Sequence, residues 1–274
     1  MNLASELGIK ELLPAYLDPT VEIQVLVTGV SFASAGSGYD NLTAEFQVQK
    51  LVLFVRCADI KRDCNPGNGL ATPPGTSPVA GGQCSSVIPV WKQLEWLGEC
   101  LKRMTEEVGE DRVEEIVAHS LYGVILGSND LLVTYFSTHF RKVQYEPPAY
   151  VRLLVDAASN VVKELYGMGA RKIAVVGSPP LGCLPFQRTV GGGALRECDE
   201  SVNNASMIYN SQLSKAIKSL AAQLEGSKVV YVDIYTLMFD IINHPQNYGN
   251  SNPSNLPSLF RIQIRQVWCL AQIQ

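Results

Sequence analysis

The sequence predicts an α/β protein built on a parallel sheet, and three observations carry that expectation. Short apolar runs at Leu121–Leu126 (LYGVIL), Lys172–Val176 (KIAVV) and Lys228–Ile234 (KVVYVDI) read as fully buried strands, each closed by Gly, Ser or Asp. Helical stripes separate them, with apolar residues recurring at three and four. Strands that alternate with helices of this length imply right-handed β-α-β crossovers and a sheet covered on both faces.

In chain order, a further short strand is expected near Ile23 to Phe32. A helix pattern, RVEEIVAHS, then runs up to His119 and delivers the chain into LYGVIL. The next helix is marked by Tyr150, Leu153, Leu154, Ala157, Val161, Val162 and Leu165. The one before the last strand is marked by Val202, Ala205, Ile208, Tyr209, Leu213, Ile217 and Leu220. Two stretches break the rhythm. Residues 47–84 begin with a short apolar run and turn Pro/Gly/Thr-rich without period, which reads as an irregular insert, and 250–274 form a tail with no amphipathic face. Both are expected to be poorly ordered, leaving 1–249 as a single interrupted domain.

Composition narrows the function classes. The chain has 274 residues, 46% of them hydrophobic, and its 22 Lys+Arg against 26 Asp+Glu give a net charge of −4, so nothing favours a nucleic-acid partner. No run approaches the roughly 18 apolar residues of a membrane span. The start, Met-Asn-Leu-Ala-Ser-Glu-Leu-Gly, lacks the basic-then-apolar pattern of a secretory signal, which predicts a cytosolic chain. Seven Cys with no CxxC pair exclude the usual metal cluster, and no cofactor or metal is expected; one or two disulfides stay open.

Ligands of such sheets bind beyond the carboxyl ends of the strands, which directs attention to the segments that follow Phe32, Leu126, Val176 and Ile234. GVSFASAGSGYD, Gly29 to Asp40, packs Gly29, Gly36 and Gly38 among small residues. Such a turn can point backbone N–H groups into a cleft, as an oxyanion hole requires, or can simply be a tight turn needing positive φ. GSND, Gly127 to Asp130, sets Asn129 where a side-chain amide can reach the same edge, or where it caps a helix. SPPLGCLP, Ser178 to Pro185, reads as a rigid loop, with Cys183 available to pair with Cys198 in an oxidising compartment.

Taken together, GVSFASAGSGYDNLTAE, SSVIPVWKQLE, GSNDLLVTYF, PPLGCLPFQRT, RECDESVNNAS and YVDIYTLMFDIINHPQNYG resemble, in order, successive blocks of the plant GDSL esterases/lipases, a branch of the SGNH hydrolases. The resemblance covers roughly residues 3–46 and 85–249. It implies a flavodoxin-like three-layer α/β/α sandwich with a parallel sheet and hydrolysis of carboxylic (acyl or lipid) esters. In that mechanism an activated Ser attacks the carbonyl, a His takes its proton, an Asp orients the His, and a Gly amide with an Asn side chain holds the oxyanion. Gly36 matches the oxyanion glycine and Asn129 the oxyanion asparagine.

The match is uneven. No GDS or GxSxG occurs in the 274 residues, and after Gly249 there is neither Asp nor His, so the nucleophile and the Asp-His block have no counterpart. The fold is expected to be incomplete accordingly, without the first strand and the final helix. His119, His139 and His244 read as solvent-facing or cap residues, and Ser34, Ser37, Ser128 and Ser178 lack an identifiable base. The insert and the tail resemble intron-like sequence. This leaves as alternative an inactive truncated splice or gene-model variant that binds a ligand or partner, or has no function. The resemblance further implies secretion and a Cys183–Cys198 bridge.

Overall fold

A computed structural model describes residues 10–45 and 87–248; the expected insert at 47–84 and the tail at 250–274 lie outside them. The described elements are a single turn α1 (Ile23–Leu26), the helices α2 (Val90–Val108) and α3 (Glu110–His119), and the strand β1 (Leu121–Ile125). A wide π-type helix (Asp130–Ser137), α4 (Pro147–Gly167) and β2 (Lys172–Val176) come next. After a 3-10 turn (Leu181–Cys183) follow α5 (Pro185–Val190), α6 (Glu200–Gln223), β3 (Lys228–Val232) and α7 (Tyr235–Asn243), with a last 3-10 turn at Pro245–Tyr248. Residues 41–45 are also helical.

The sheet runs β1-β2-β3, all parallel, with Leu121 beside Lys172 and Lys172 beside Lys228. The parallel α/β architecture expected from the three apolar runs is therefore present. The central strand shows why its run is unbroken: Ile173, Ala174 and Val175 are each fully buried, since parallel strands covered on both faces leave no polar side. Ile173 and Val175 point into the main core, whereas Ala174 and Val176 join Val232 on the opposite face. β1 is less protected, and Ile125 is 61% exposed.

Each long helix follows from its stripe. In α4, Pro147 and Pro148 open the first turn, where a missing N–H costs nothing, and Tyr150, Leu154, Ala158, Val161 and Leu165 form the buried face. In α6 the carboxylate of Asp199 caps the N-terminus by accepting from Ser201 N at 2.9 Å, and Val202, Ala205, Tyr209, Leu213, Ile217 and Leu220 face α4 and the sheet. Each large apolar side chain buried there contributes about 1.5–3 kcal/mol. A second core, Leu26, Cys100, Met104, Val113 and Val117, holds residues 16–32 against α2 and α3.

One element differs from expectation. Ile23 to Phe32 is not a strand: the segment coils into α1, turns at Gly29 (φ +118°), and makes only an isolated bridge between Ser31 and Ala15. Its apolar residues serve the second core, and a helical turn satisfies that burial without a neighbouring strand. The two flanking strands also end slightly early, at Ile125 and Val232.

Candidate functional site

The turn at Ser34–Thr43 is assembled by partners distant in sequence. Gly36 sits at φ +90°, a conformation in which L side chains are strained, so the tight-turn requirement is met here. Ser37 N donates to Ser34 O at 3.1 Å, and the Ser34 hydroxyl accepts from Ile88 N at 3.0 Å. Gln93 on α2 donates to the Ser37 hydroxyl at 3.2 Å. Gly38 is a glycine for another reason: a Cβ there would collide with the carboxylate of Asp130.

Asp130 follows β1 by five residues and is completely buried. Its Oδ2 accepts from Tyr39 N and its Oδ1 from Asp40 N, both at 2.9 Å, and Oδ1 also accepts from the Thr43 hydroxyl at 2.6 Å. Thr43 is hydrogen-bonded to Thr134 as well, at 2.7 Å, on the wide helix. Among the described residues no cation touches Asp130. Burial is the main influence on its carboxyl and pushes it up to about 6, against the pull of Thr43 and the two amides, with the charge of Asp40 adding to the rise. The second buried acid is treated differently. Asp40 receives Arg141 through both Nε (2.6 Å) and Nη2 (3.0 Å), plus the Tyr150 hydroxyl at 3.2 Å. The Tyr39 hydroxyl is buried against Tyr209, and desolvation, with the charge of Asp130 adding to it, pushes its ionisation far above the ordinary phenol range.

Asn129 makes no helix-cap hydrogen bond. Its side chain reaches 92 positions back instead, where Nδ2 donates to Ser37 O at 2.8 Å. A primary amide carries two N–H groups, so one stays uncommitted. The Gly36 N–H likewise makes no hydrogen bond among the described residues. The structure thus brings the Asn129 side chain onto the turn that carries Gly36, through Ser37 O.

The remaining candidates do not converge on this turn. Ser178 is fully buried and held by Asn210, which accepts from Ser178 N at 2.7 Å and donates to Ser178 O at 2.8 Å. The loop after it is rigid as expected: Asn203 Oδ1 accepts from Gly182 N at 2.8 Å, and Cys183 is bonded to Cys198. His119 folds back on Glu115 O at 2.8 Å, and His139 is an exposed residue at φ +59°. His244 pairs with Asp240 at 2.9 Å on the wall of a groove of about 530 Å³ between α6 and α7, also lined by Asn203, Met207, Tyr235 and Phe239. Neither Gly36 nor Asn129 lines that groove. Among the described residues no histidine is hydrogen-bonded to a serine, no group of His, Cys, Asp and Glu could hold a metal ion, and no helix is long and apolar enough to cross a membrane.

Sequence reasoning missed Asp130, Thr43, Asp40 and Arg141. The available signal was Asp130 itself, an acid leading an otherwise apolar run, DLLVTYF. The wide helix it starts was not readable, because its spacing, with Thr138 N on Val133 O, matches neither helix nor strand period.

Known proteins match this chain over most of its length. GDSL esterase/lipase EXL3 of Arabidopsis thaliana is 41% identical over 247 residues, covering 90% of this chain and 57% of that protein. GDSL esterase/lipase At3g43550 of the same plant is 35% identical over 248 residues, covering 90% and 72%, and At1g20120 is 34% identical, covering 90% and 52%. This chain therefore spans little more than half the length of EXL3 and At1g20120. A family model, GDSL-like Lipase/Acylhydrolase, matches residues 3–257, and with the parallel sheet and the ordered segments around Gly36 and Asn129 it shows that the chain belongs to the GDSL-like lipase/acylhydrolase family.

Proposed function

We propose that the complete family member hydrolyses carboxylic (acyl or lipid) esters by a serine nucleophile, and that this chain supplies the Gly36 N–H and the Asn129 side-chain amide as the two donors that hold the oxyanion. The observation that carries the reading is the 2.8 Å bond from Asn129 to Ser37 O, which fixes one amide N–H beside the turn and leaves its twin available. Negative charge develops on the carbonyl oxygen as a nucleophile adds to an ester, and donors fixed in advance stabilise it without reorganising. Seating the Asn129 amide on a backbone carbonyl supplies that rigidity. Serine attack, proton transfer to a His and its orientation by an Asp belong to the same reading. The Cys183–Cys198 bond supports an oxidising, secretory setting for the folded domain.

A second reading, an inactive variant that binds a ligand or partner, is favoured by one observation. None of Ser34, Ser37, Ser128 and Ser178 contacts a histidine among the described residues. A fluorophosphonate probe on the 274-residue chain and p-nitrophenyl butyrate turnover of the complete form separate the two readings. Turnover of the complete form that falls about 10²- to 10³-fold in Asn129→Ala is the expected result for the first. Turnover unchanged in Asn129→Ala rejects the donor assignment, and no label on folded protein selects the second reading.

A further inference from the structure

We infer that Asp130 is the positioning residue of the Gly36–Asp40 turn: one buried carboxylate, by gripping two consecutive amides and Thr43, sets where the Gly36 and Asn129 donors point. The inference rests on the proposed role of those two residues and adds a third that touches neither substrate nor product. Asn129 and Asp130 are adjacent, and together they hold Ser37 O, Tyr39 N, Asp40 N and the Thr43 hydroxyl. Every one of these contacts bridges nearly 90 residues or more, and they add to the local bonds from Ser37 N to Ser34 O and from Thr43 N to Asp40 O. Shape fits the same role, since Gly38 leaves open the space that the carboxylate occupies.

A carboxylate with both oxygens accepting, surrounded by donors and without a cation, is a geometric clamp whose grip depends on its charge. The titratable groups facing it are Asp40 and Tyr39 from the turn, Tyr150 from α4 and Tyr209 from α6, while Arg141 acts on it only through Asp40. A protonated Asp130 keeps its place in the core but presents a donor where two amides and a hydroxyl need acceptors. The turn and the Asn129 side chain should then loosen together.

The test is NMR of the ¹⁵N-labelled chain between pH 4.5 and 8, following the Gly36, Tyr39 and Asp40 amides and the Asn129 side-chain amide. In the native chain all four signals are expected to share one midpoint near 6. In Asp130→Asn none should titrate, and the Asn129 side-chain protons should exchange about tenfold faster, the loss of one hydrogen bond. Thr43→Val, which removes a bond that favours the ionised form, should raise the common midpoint, giving a reading even if Asp130→Asn fails to fold. Titration confined to Tyr39 and Asp40, with Gly36 and the Asn129 side chain indifferent to pH, overturns the inference. This outcome is independent of ester turnover, so a failed donor assignment in the p-nitrophenyl assay stays distinguishable from a failed clamp.

Discussion

Two loops leave the carboxyl ends of neighbouring strands, and the protein treats them in opposite ways. The loop after β2, Ser178–Cys183, is closed by neutral amides and a covalent bond: Asn210 satisfies both backbone groups of Ser178, Asn203 takes Gly182 N, and Cys183 is tied to Cys198. The loop after β1 is closed by an ionisable group, Asp130, and grips the turn on which the Gly36 N–H has no hydrogen bond among the described residues. Neutral clamps give a fixed scaffold at every pH. An anionic clamp gives equal order only while it is charged, and it leaves free N–H groups nearby at the cost of burying a carboxylate without a cation.

The contrast can be broken most severely at Asp130. Asp130→Ala strands the Tyr39 and Asp40 amides in the core, and at about 1–3 kcal/mol for each unsatisfied donor the loss should reach about 2–6 kcal/mol in urea unfolding. Cutting the other loop costs an amount inside that range. Cys198→Ser opens a bridge between residues 15 apart, worth about 3 kcal/mol on the chain-entropy model. It should leave the Gly36 and Asn129 NMR signals in place; their displacement would mean that the two loops are one unit. Asn129→Ala is milder, about 1 kcal/mol of stability, because the Ser37 carbonyl it releases is only part-buried. Its effect should fall on ester turnover instead.

A pH-dependent effect sharpens the comparison by its sign. The folded Asp130 carboxyl titrates near 6, above the roughly 3.9 of an unfolded Asp. Between those values the folded chain keeps a proton that the unfolded chain has released. Ionising the buried carboxyl therefore costs stability, a cost absent below about pH 4 and complete above about pH 6, although the charged form is the one that grips the turn. Subtracting the urea-unfolding profile of Asp130→Asn from that of the native chain should isolate a stability term that falls across pH 4–6. A flat difference would mean that the carboxyl is not desolvated. Replacing Asn210, a neutral clamp, should leave that term untouched.

Much of the sheet was legible because burial on both faces writes itself as an uninterrupted apolar run: KIAVV became β2 over the same residues. The α4 and α6 stripes were equally clear. Ile23–Phe32 misled because its short apolar stretch fits a helix turn as well as a strand, and only the neighbours, Cys100, Met104 and Val117, decide between them. At the candidate site, Gly36 and Asn129 were found through the resemblance to the GDSL blocks. Their support was not found, since Thr43, Arg141 and Tyr150 act across separations of 87 to 110 residues and carry no local spacing.

Gly38 and Asp130 have a consequence for inheritance. A side chain can enter position 38 only if position 130 shrinks, and a smaller residue at 130 abandons the two amides that Gly38 exists to admit. Neither single change opens a path to the double one, so the two codons should drift as a locked pair. In a library randomised at both positions, survivors should retain Gly with Asp far more often than either frequency alone would give.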